Sequence, residues 1–228
     1  MTAAIPPSLR LHPRRATDLD PQAVRALREI PTPNISDSMG KLSPGGAALR
    51  PMHSGARMAG PAFTVRVPPG DNLLVYKAFA AAQPGDVVVV DAGGVLEQAI
   101  VGEIMTLWAA SRGLAGVVVH GAVRDVAILR EADFPVYAAG STHRGPYKNG
   151  PGELNVPVSL DGMVVEPGDL LVGDADGVVA VPAADVRAVA QAAEAIRRRE
   201  DDLVAGLREG RFDVSWLDPL LRAKGYAV

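Results

Sequence analysis

The stretch Gly116-Val117-Val118-Val119-His120-Gly121-Ala122-Val123-Arg124-Asp125 decides how the chain is read. Three consecutive β-branched valines between glycines predict a short, fully buried strand. Gly121 then marks a tight exit, where backbone has to pass close to another part of the molecule. In an open α/β architecture ligands collect beyond the carboxyl ends of strands. Arg124 and Asp125 therefore fall where a site is expected, just before the helical run Val126-Ala127-Ile128-Leu129-Arg130-Glu131-Ala132. The pair combines an anion clamp with an oxygen ligand for a cation. The plainer alternative is a polar pair at a strand-to-helix turn, with Asp125 capping the helix that follows.

Working back from the decapeptide, Val87 to Val90 reads as a second buried strand that runs into Asp91-Ala92-Gly93-Gly94. This glycine-rich exit can bring backbone up to a ligand, beside the Arg124 loop if the two strands are neighbours. A helix is expected to begin near Gly102, where free amides and the positive dipole end suit a carboxylate. Neither the dinucleotide Gly-x-Gly-x-x-Gly nor the phosphate-binding Gly-x-x-x-x-Gly-Lys-Ser/Thr occurs, so a nucleotide site has no support. Further back, alternation of Phe63, Val65 and Val67 with Thr64 and Arg66 predicts a strand over Ala56 to Val67 with one face in the core. Pro-Gly-Asp recurs at Pro69, Pro84 and Pro167. Pro presets the first turn position and Gly accepts positive φ at the second, so Asp71, Asp86 and Asp169 are assigned to structure. Asn72 to Ala82 forms a helix between the first two turns. Asp20-Pro21 opens a helix through Ile30 with Asp20 as cap, and Asn34 to Gly40 a short one on which Asn34 and Asp37 are cap and surface residues. Residues 1–18, rich in Pro, Arg and Ala, read as a flexible arm ahead of a single domain over 19–228.

Beyond Asp125, one helix leads to a strand at Phe134-Pro135-Val136-Tyr137 and then to the irregular segment Gly140 to Gly152. That segment carries His143, Arg144, Tyr147 and Lys148, and is either a solvated loop or a cationic lip that admits a dianion. Asn155 to Leu160, Met163 to Val165, Leu170 to Gly173 and Val178 to Val181 read as short strands. The turns at Asp161-Gly162 and Asp176-Gly177 make this half antiparallel. Pro182 opens a long helix with Val186, Val189, Ala190 and Ala193 inward, and a last helix covers about Val214 to Ala223.

Composition narrows the function. Apolar residues at 48% supply a sizeable core, whereas aromatics at 4% and a formal charge of −3 argue against nucleic acid, which asks for a basic face and stacking rings. The absence of cysteine excludes disulfides and thiolate metal sites, so a metal would be held by oxygen or imidazole, which favours magnesium or manganese. His12, His53, His120 and His143 show no metallohydrolase spacing. No apolar run approaches the ~18 residues of a membrane span, and no apolar signal core opens the chain, which predicts a cytoplasmic protein without membrane contact.

Before Arg124, across twenty intervening residues, stands Glu103, within Gly102-Glu103-Ile104-Met105. Glu103 spaced in this way from Arg124-Asp125, the pattern Gly-Glu-x-x-x-x-x-Ala-Ala-x-x-Gly from Gly102, and Gly-Asp-Ala-Asp-Gly-Val-Val around Asp174 together resemble the RraA-like family, over roughly residues 20 to 190. That family holds metal-dependent 4-hydroxy-4-methyl-2-oxoglutarate aldolases, related oxaloacetate decarboxylases and regulators of ribonuclease E. The resemblance implies an α/β sandwich of the swivelling ββα type, with a mixed sheet, an antiparallel C-terminal meander and C-terminal helices, assembled as trimers or hexamers. It implies a small anionic 2-oxo acid as substrate and pyruvate as product. Both reactions place electrons on carbon next to a ketone, where a divalent cation can act as a Lewis acid.

By the same resemblance, Asp125 is a metal ligand, and Glu103 belongs to the metal site by orienting a metal-bound water as proton carrier. The amides of Gly102, Glu103, Ile104 and Met105 bind the substrate together with Arg124. Many family aldolases carry Asp where this chain has Glu103. Family regulators, the non-enzymatic alternative, are expected to lack this acid and to carry further acids after Arg-Asp; here Glu103 is present and Val126-Ala127-Ile128 follows. A Schiff-base aldolase would need a buried lysine, and of Lys41, Lys77, Lys148 and Lys224 only Lys77 is a candidate, a poor one.

Overall fold

Val117 and Val119 point into one apolar layer and Val118 into another, and all three are fully buried. The strand that carries them is thus the middle layer of three, as seen in a computed structural model that describes residues 11–13, 18–41 and 45–227. The first half of the chain holds α1 (Pro21–Glu29), α2 (Thr32–Ser38), β1 (Arg50–Pro51), β2 (Met58–Arg66), α3 (Leu73–Ala81), β3 (Val87–Asp91), β4 (Ala99–Val101) and α4 (Glu103–Ser111). The central stretch forms β5 (Gly116–Val123), α5 (Val126–Glu131), β6 (Val136–Ser141) and β7 (Glu153–Leu154). There follow β8 (Val158–Leu160), β9 (Met163–Val165), β10 (Leu170–Gly173), β11 (Val178–Val181), α6 (Val186–Arg208) and α7 (Leu217–Ala223).

The main sheet has the order β1-β6-β5-β3-β2-β10-β11, with β4 paired to β5 and β7 to β2. Its centre is parallel: β2 with β3, β3 with β5, β5 with β6. The flanks are antiparallel. Helices α3, α4 and α5 cover one face through Val75, Phe79, Met105, Ala109 and Leu129. The antiparallel β8-β9 hairpin covers the other through Val158, Leu160, Met163 and Val165. Helices α1, α2 and α6 pack on β10 and β11. This is the mixed ββα sandwich that the motifs implied. Burial on both faces explains why β3 and β5 are runs of valine rather than alternating strands; each buried valine contributes on the order of 1.5 kcal/mol or more.

The turn device works as its residues predict. Gly70, Gly85 and Gly168 take φ of 76°, 86° and 91°. Asp86 Oδ2 then accepts from Gln83 N at 2.8 Å and Asp169 Oδ2 from Glu166 N at 2.9 Å, closing each turn. On α6, Val186, Val189, Ala190 and Ala193 are the buried residues. Beyond them Arg197 and Arg198 converge on Glu194 and hold its carboxyl down to about 2.

Several expectations are corrected. β5 does not leave the sheet at Gly121 but continues to Val123, because the unforeseen β4 pairs along its end at Ala99↔Ala122 and Val101↔Val123. Gly121 marks instead the irregular step against β6, where a Cβ would lie 3.2 Å from that of Ala92. β2 is buried on both faces, with Thr64 donating to Val156 O at 2.6 Å under the hairpin. Asn34 is no cap: it is buried within α2 and donates to Glu200 of α6 at 2.5 Å. The strand after Pro135 is longer than expected and that after Asn155 shorter. The helix after Pro182 begins with a 3-10 turn at Ala183–Asp185, and α7 starts only at Leu217. Most of the expected arm, residues 1–10 and 14–17, lies outside the described residues; within residues 11–13, His12 N donates to Leu154 O on β7. No helix among the described residues is long and apolar enough to cross a membrane.

Candidate active site

The site begins where β4 and β5 end side by side. Arg124 N donates to Val101 O at 3.0 Å, so the last residue of β4 is tied to the first residue after β5. Between them Gly102 leads into α4, and a Cβ there would lie 2.5 Å from Asp125 Oδ2 and 2.8 Å from Arg124 Cγ. Only glycine lets the amino end of α4 approach the Arg124-Asp125 loop this closely. Asp125 itself sits in the left-handed region at φ 61°, ψ 34°, a conformation that costs a non-glycine residue on the order of 1 kcal/mol. It makes no side-chain cap on α5, which corrects the plainer reading of the turn. Instead its Oδ2 accepts from Glu103 N at 3.0 Å, capping α4, and stands 3.5 Å from Arg124 Nε. Oδ1 has no partner among the described residues, and neither do the two Nη atoms of Arg124 or the carboxylate of Glu103.

A cleft of about 250 Å3 opens on one side of Arg124, lined by Gly102, Ile104 and Met105 from the start of α4, by Asn72 and Tyr76, and by Lys148. The expected substrate-binding residues Gly102, Ile104, Met105 and Arg124 therefore share one cavity. Glu103 lines no part of it. Asp125 faces an open basin across Arg124, with Thr142 and His143. The glycine-rich exit is a neighbour of β5, as expected of adjacent strands, yet Gly93 and Gly94 do not reach the cleft because β4 stands in their place.

The segment with His143, Arg144, Tyr147 and Lys148 leaves all four exposed, as a solvated loop would, but its backbone is pinned to the fold. Tyr147 N donates to Gly70 O at 2.7 Å, Asn72 N to Tyr147 O at 3.0 Å and Ala99 N to Arg144 O at 2.9 Å. The buried Asp71 completes the attachment by accepting from Leu73 N through Oδ1 and from Asn149 N and Gly150 N through Oδ2. Lys148 is carried to the cleft, its Nζ 5.5 Å from the centre of the Tyr76 ring, a cation-π distance. Lys77 is exposed on the outer side of α3. His120 packs with Nδ1 3.8 Å from Asp91 Oδ1 and outside the cleft.

The third motif, around Asp174, is scaffold. Asp174 Oδ2 accepts from Thr32 N at 2.8 Å, and Oδ1 from Thr32 Oγ1 at 2.7 Å and Asp176 N at 3.0 Å. Its carbonyl accepts from the buried Tyr137 hydroxyl, whose pKa is pushed up first by burial and then by the Asp174 charge.

Two features escaped the sequence reading. Strand β4 is three residues long, too short to show a period. Asn72 was read only as a helix start; its one signal is a polar amide directly ahead of the apolar run Leu73-Leu74-Val75. As to a metal, no group of three or more acidic or histidine side chains converges among the described residues. A cation here would rest on Asp125 Oδ1, with Glu103 reached through water. That set fits magnesium or manganese, which keep most of their waters and need one or two carboxylates.

An α/β/β sandwich with a cleft lined by Arg124 and Lys148 at a helix amino end, beside a half-engaged aspartate, is the class of molecule that fold and site define. The family model described as "RraA-like: Aldolase/RraA" matches residues 32–180, and the chain belongs to this family. It is 41% identical over 179 residues to a Halalkalibacterium halodurans protein named "Putative 4-hydroxy-4-methyl-2-oxoglutarate aldolase", covering 78% of this chain and 84% of that one. The structure of the RNA-processing inhibitor RraA from Thermus thermophilis superposes with a TM-score of 0.61 at 37% identity, over 68% of this chain and 93% of that one. An uncharacterized protein from Pseudomonas syringae does so with a TM-score of 0.75 at 25% identity, over 86% and 97%.

Proposed function

We propose that the protein is a divalent-metal-dependent carbon-carbon lyase that cleaves 4-hydroxy-2-oxo acids to pyruvate, with oxaloacetate decarboxylation as a second reaction of the same site. The observation that carries this reading is Arg124, its Nη fork without a partner among the described residues, lining the same cleft as the amino end of α4, next to an aspartate with one oxygen unengaged among those residues. In the cleavage the 4-hydroxyl loses its proton, the C3-C4 bond breaks, a carbonyl forms at C4 and the electron pair passes to the C2 oxygen. Protonation at C3 then gives pyruvate. A bound magnesium or manganese ion would supply Lewis acidity at the C2 oxygen.

The chain's own residues do the rest. Arg124 matches the C1 carboxylate and the growing enolate charge at two points. The start of α4 at Gly102, Ile104 and Met105, with the helix dipole, adds to that anion site, whereas the amide of Glu103 is held by Asp125 Oδ2. Lys148, across the cleft, suits the distal carboxylate of a dianion. Glu103, with a carboxylate free of partners among the described residues, exchanges the proton through water. The aldolase name of the Halalkalibacterium relative supports the lyase reading, as does the presence of Glu103. Inhibition of RNA processing, which the name of the Thermus relative points to, would require neither the unengaged carboxylates nor the cations that line the cleft.

Assembly belongs to the same proposal. Leu203, Val204, Leu207, Trp216, Leu217 and Leu220 on and between α6 and α7 are each about half exposed, as suits helices that bury this face against another copy in a trimer or hexamer.

The test is pyruvate release from 4-hydroxy-2-oxo acids and oxaloacetate. Chelation should abolish it and magnesium or manganese should restore it. Turnover that survives chelation and is trapped by borohydride would replace this mechanism with a Schiff base, and then at Lys148 in the cleft rather than at the exposed Lys77.

A further inference from the structure

The three Pro-Gly-Asp turns share a backbone but do not use their aspartates alike. In each, the Asp amide donates to the carbonyl three residues back: Asp71 to Pro68, Asp86 to Gln83 and Asp169 to Glu166. The carboxylates of Asp86 and Asp169 then accept the amide of that same residue, Gln83 N at 2.8 Å and Glu166 N at 2.9 Å. Asp71 has no such amide to accept, because proline lacks an N-H and Pro68 stands at that place. One proline therefore releases a carboxylate that the repeat otherwise closes on its own turn.

The released carboxylate belongs to a residue only 3% exposed, and it is engaged elsewhere. Oδ1 accepts from Leu73 N at 2.9 Å, at the start of α3. Oδ2 reaches a distant part of the chain, where it accepts from Asn149 N at 2.5 Å and Gly150 N at 3.0 Å. Tyr147 is bonded through its backbone to the same turn, at Gly70 O and Asn72 N. Lys148 thus lies between two fixed points, Tyr147 held by backbone and Asn149 held by the Asp71 side chain. Its own side chain lines the cleft, with Nζ over the Tyr76 ring.

We infer that Asp71 is a positioning residue for substrate charge: by anchoring Asn149 and Gly150 it keeps Lys148 at the cleft, and so gives the site its preference for a second carboxylate. This rests on the lyase reading, in which Lys148 meets the distal carboxylate. Asp71 touches no ligand and acts through the 140–152 segment alone. A lysine on an unanchored segment has to be ordered by the ligand that it binds, and that ordering is subtracted from the affinity. The Arg124 end of the site is untouched, so loss of the anchor weakens the hold on one end of the substrate only.

The experiment measures calorimetric binding of 2-oxoglutarate and 2-oxobutyrate with magnesium present. The two acids differ by the distal carboxylate, and neither carries the 4-hydroxyl needed for cleavage. The wild-type protein should bind the diacid about tenfold or more tightly, and Lys148→Ala should remove that preference. Asp71→Asn leaves one oxygen to serve both Leu73 and the segment. It should remove most of the preference as well, changing monoacid affinity by less than about threefold, and adding it to Lys148→Ala should cause no further loss. Equal binding of both acids by the wild type, or a preference kept in Lys148→Ala, would overturn the inference and leave the lyase reading standing on Arg124. A preference kept in a folded Asp71→Asn, or equal weakening of both acids there, would reduce Asp71 to a structural residue. Amide hydrogen exchange of the wild type reads the anchor without any variant: Asn149 and Gly150 should exchange far more slowly than unbonded loop amides, and free-loop rates would overturn the anchor even if Asp71→Asn fails to fold. Binding of neither acid would overturn the lyase reading and this inference with it.

Discussion

Two aspartates, Asp125 and Asp174, both accept from the amide of a helix's first residue, yet their carboxylates are used differently. Asp174 engages both oxygens, with Thr32 N on one and Thr32 Oγ1 and Asp176 N on the other. Asp125 engages Oδ2 with Glu103 N, leaves Oδ1 without a partner among the described residues, and does so from a left-handed backbone that its own side chain does nothing to relieve. A fully engaged carboxylate in relaxed surroundings holds the fold together. A half-engaged one at a strained position, where glycine alone admits the neighbouring helix, is the kind of feature that persists because of function. The contrast separates two motifs that look equally polar in the sequence.

The largest effect that sharpens the contrast is expected at Arg124. Arg124→Lys keeps the charge but loses the planar fork, and should reduce kcat/KM by a factor on the order of thirty to a thousand, or about 2 to 4 kcal/mol of transition-state binding. The denaturation midpoint should hardly move, because the Arg124-Asp125 pair is partly exposed and such pairs contribute roughly 0 to 1 kcal/mol. A wild-type rate would remove Arg124 from the mechanism.

Gly102→Ala comes next. The added Cβ collides with both Asp125 Oδ2 and Arg124 Cγ, so the helix end and the loop must part. We expect about a tenfold to hundredfold loss of kcat/KM with a stability loss of roughly 1 to 2 kcal/mol, read by steady-state kinetics and denaturant titration on the same preparation. Full activity would show that the close approach of α4 is incidental.

The smallest effect lies on α6. Hydrogen bonds from Arg197 and Arg198 hold the Glu194 carboxyl at about 2, below its ordinary 4.5. The folded value is depressed, so the stabilisation is complete above the unfolded value and is lost as pH falls from about 4.5 toward 2. Glu194→Gln should flatten this acid limb of the stability curve slightly and leave turnover at neutral pH unchanged. A slope as steep as in the wild type would show that the cluster is fully screened by solvent.

How much of this was legible in the sequence follows from length scale. Valine runs, the Pro-Gly-Asp turns and the inner face of α6 are local patterns with strong physical causes, and they appear where the residues predict them. The placement of Arg124 and Asp125 directly beyond β5 was legible because the valine run marks the strand that ends before them. The partner of Asp125 was not, since the amide of Glu103 reaches it only through β4, three residues that pair with the end of β5. Asn34 and Asn72 were misjudged or passed over for a related reason. Each sits at a helix start where a cap is the default expectation, and each is buried by an element distant in the chain, α6 in one case and β4 with α4 in the other.

The paired variants Asp125→Ala and Asp174→Ala test the central contrast most directly, with kcat/KM and the free energy of unfolding measured for both. Asp125→Ala should reduce kcat/KM about a hundredfold or more while changing stability by less than about 1 kcal/mol, the lost cap being offset by solvation of the freed amide. Asp174→Ala should lose about 2 to 3 kcal/mol of stability, because Thr32 N, Thr32 Oγ1 and Asp176 N all lose their acceptor, and should keep kcat/KM of the folded fraction within about threefold. Parallel losses of rate and stability in both variants, or a fully active Asp125→Ala, would contradict the account.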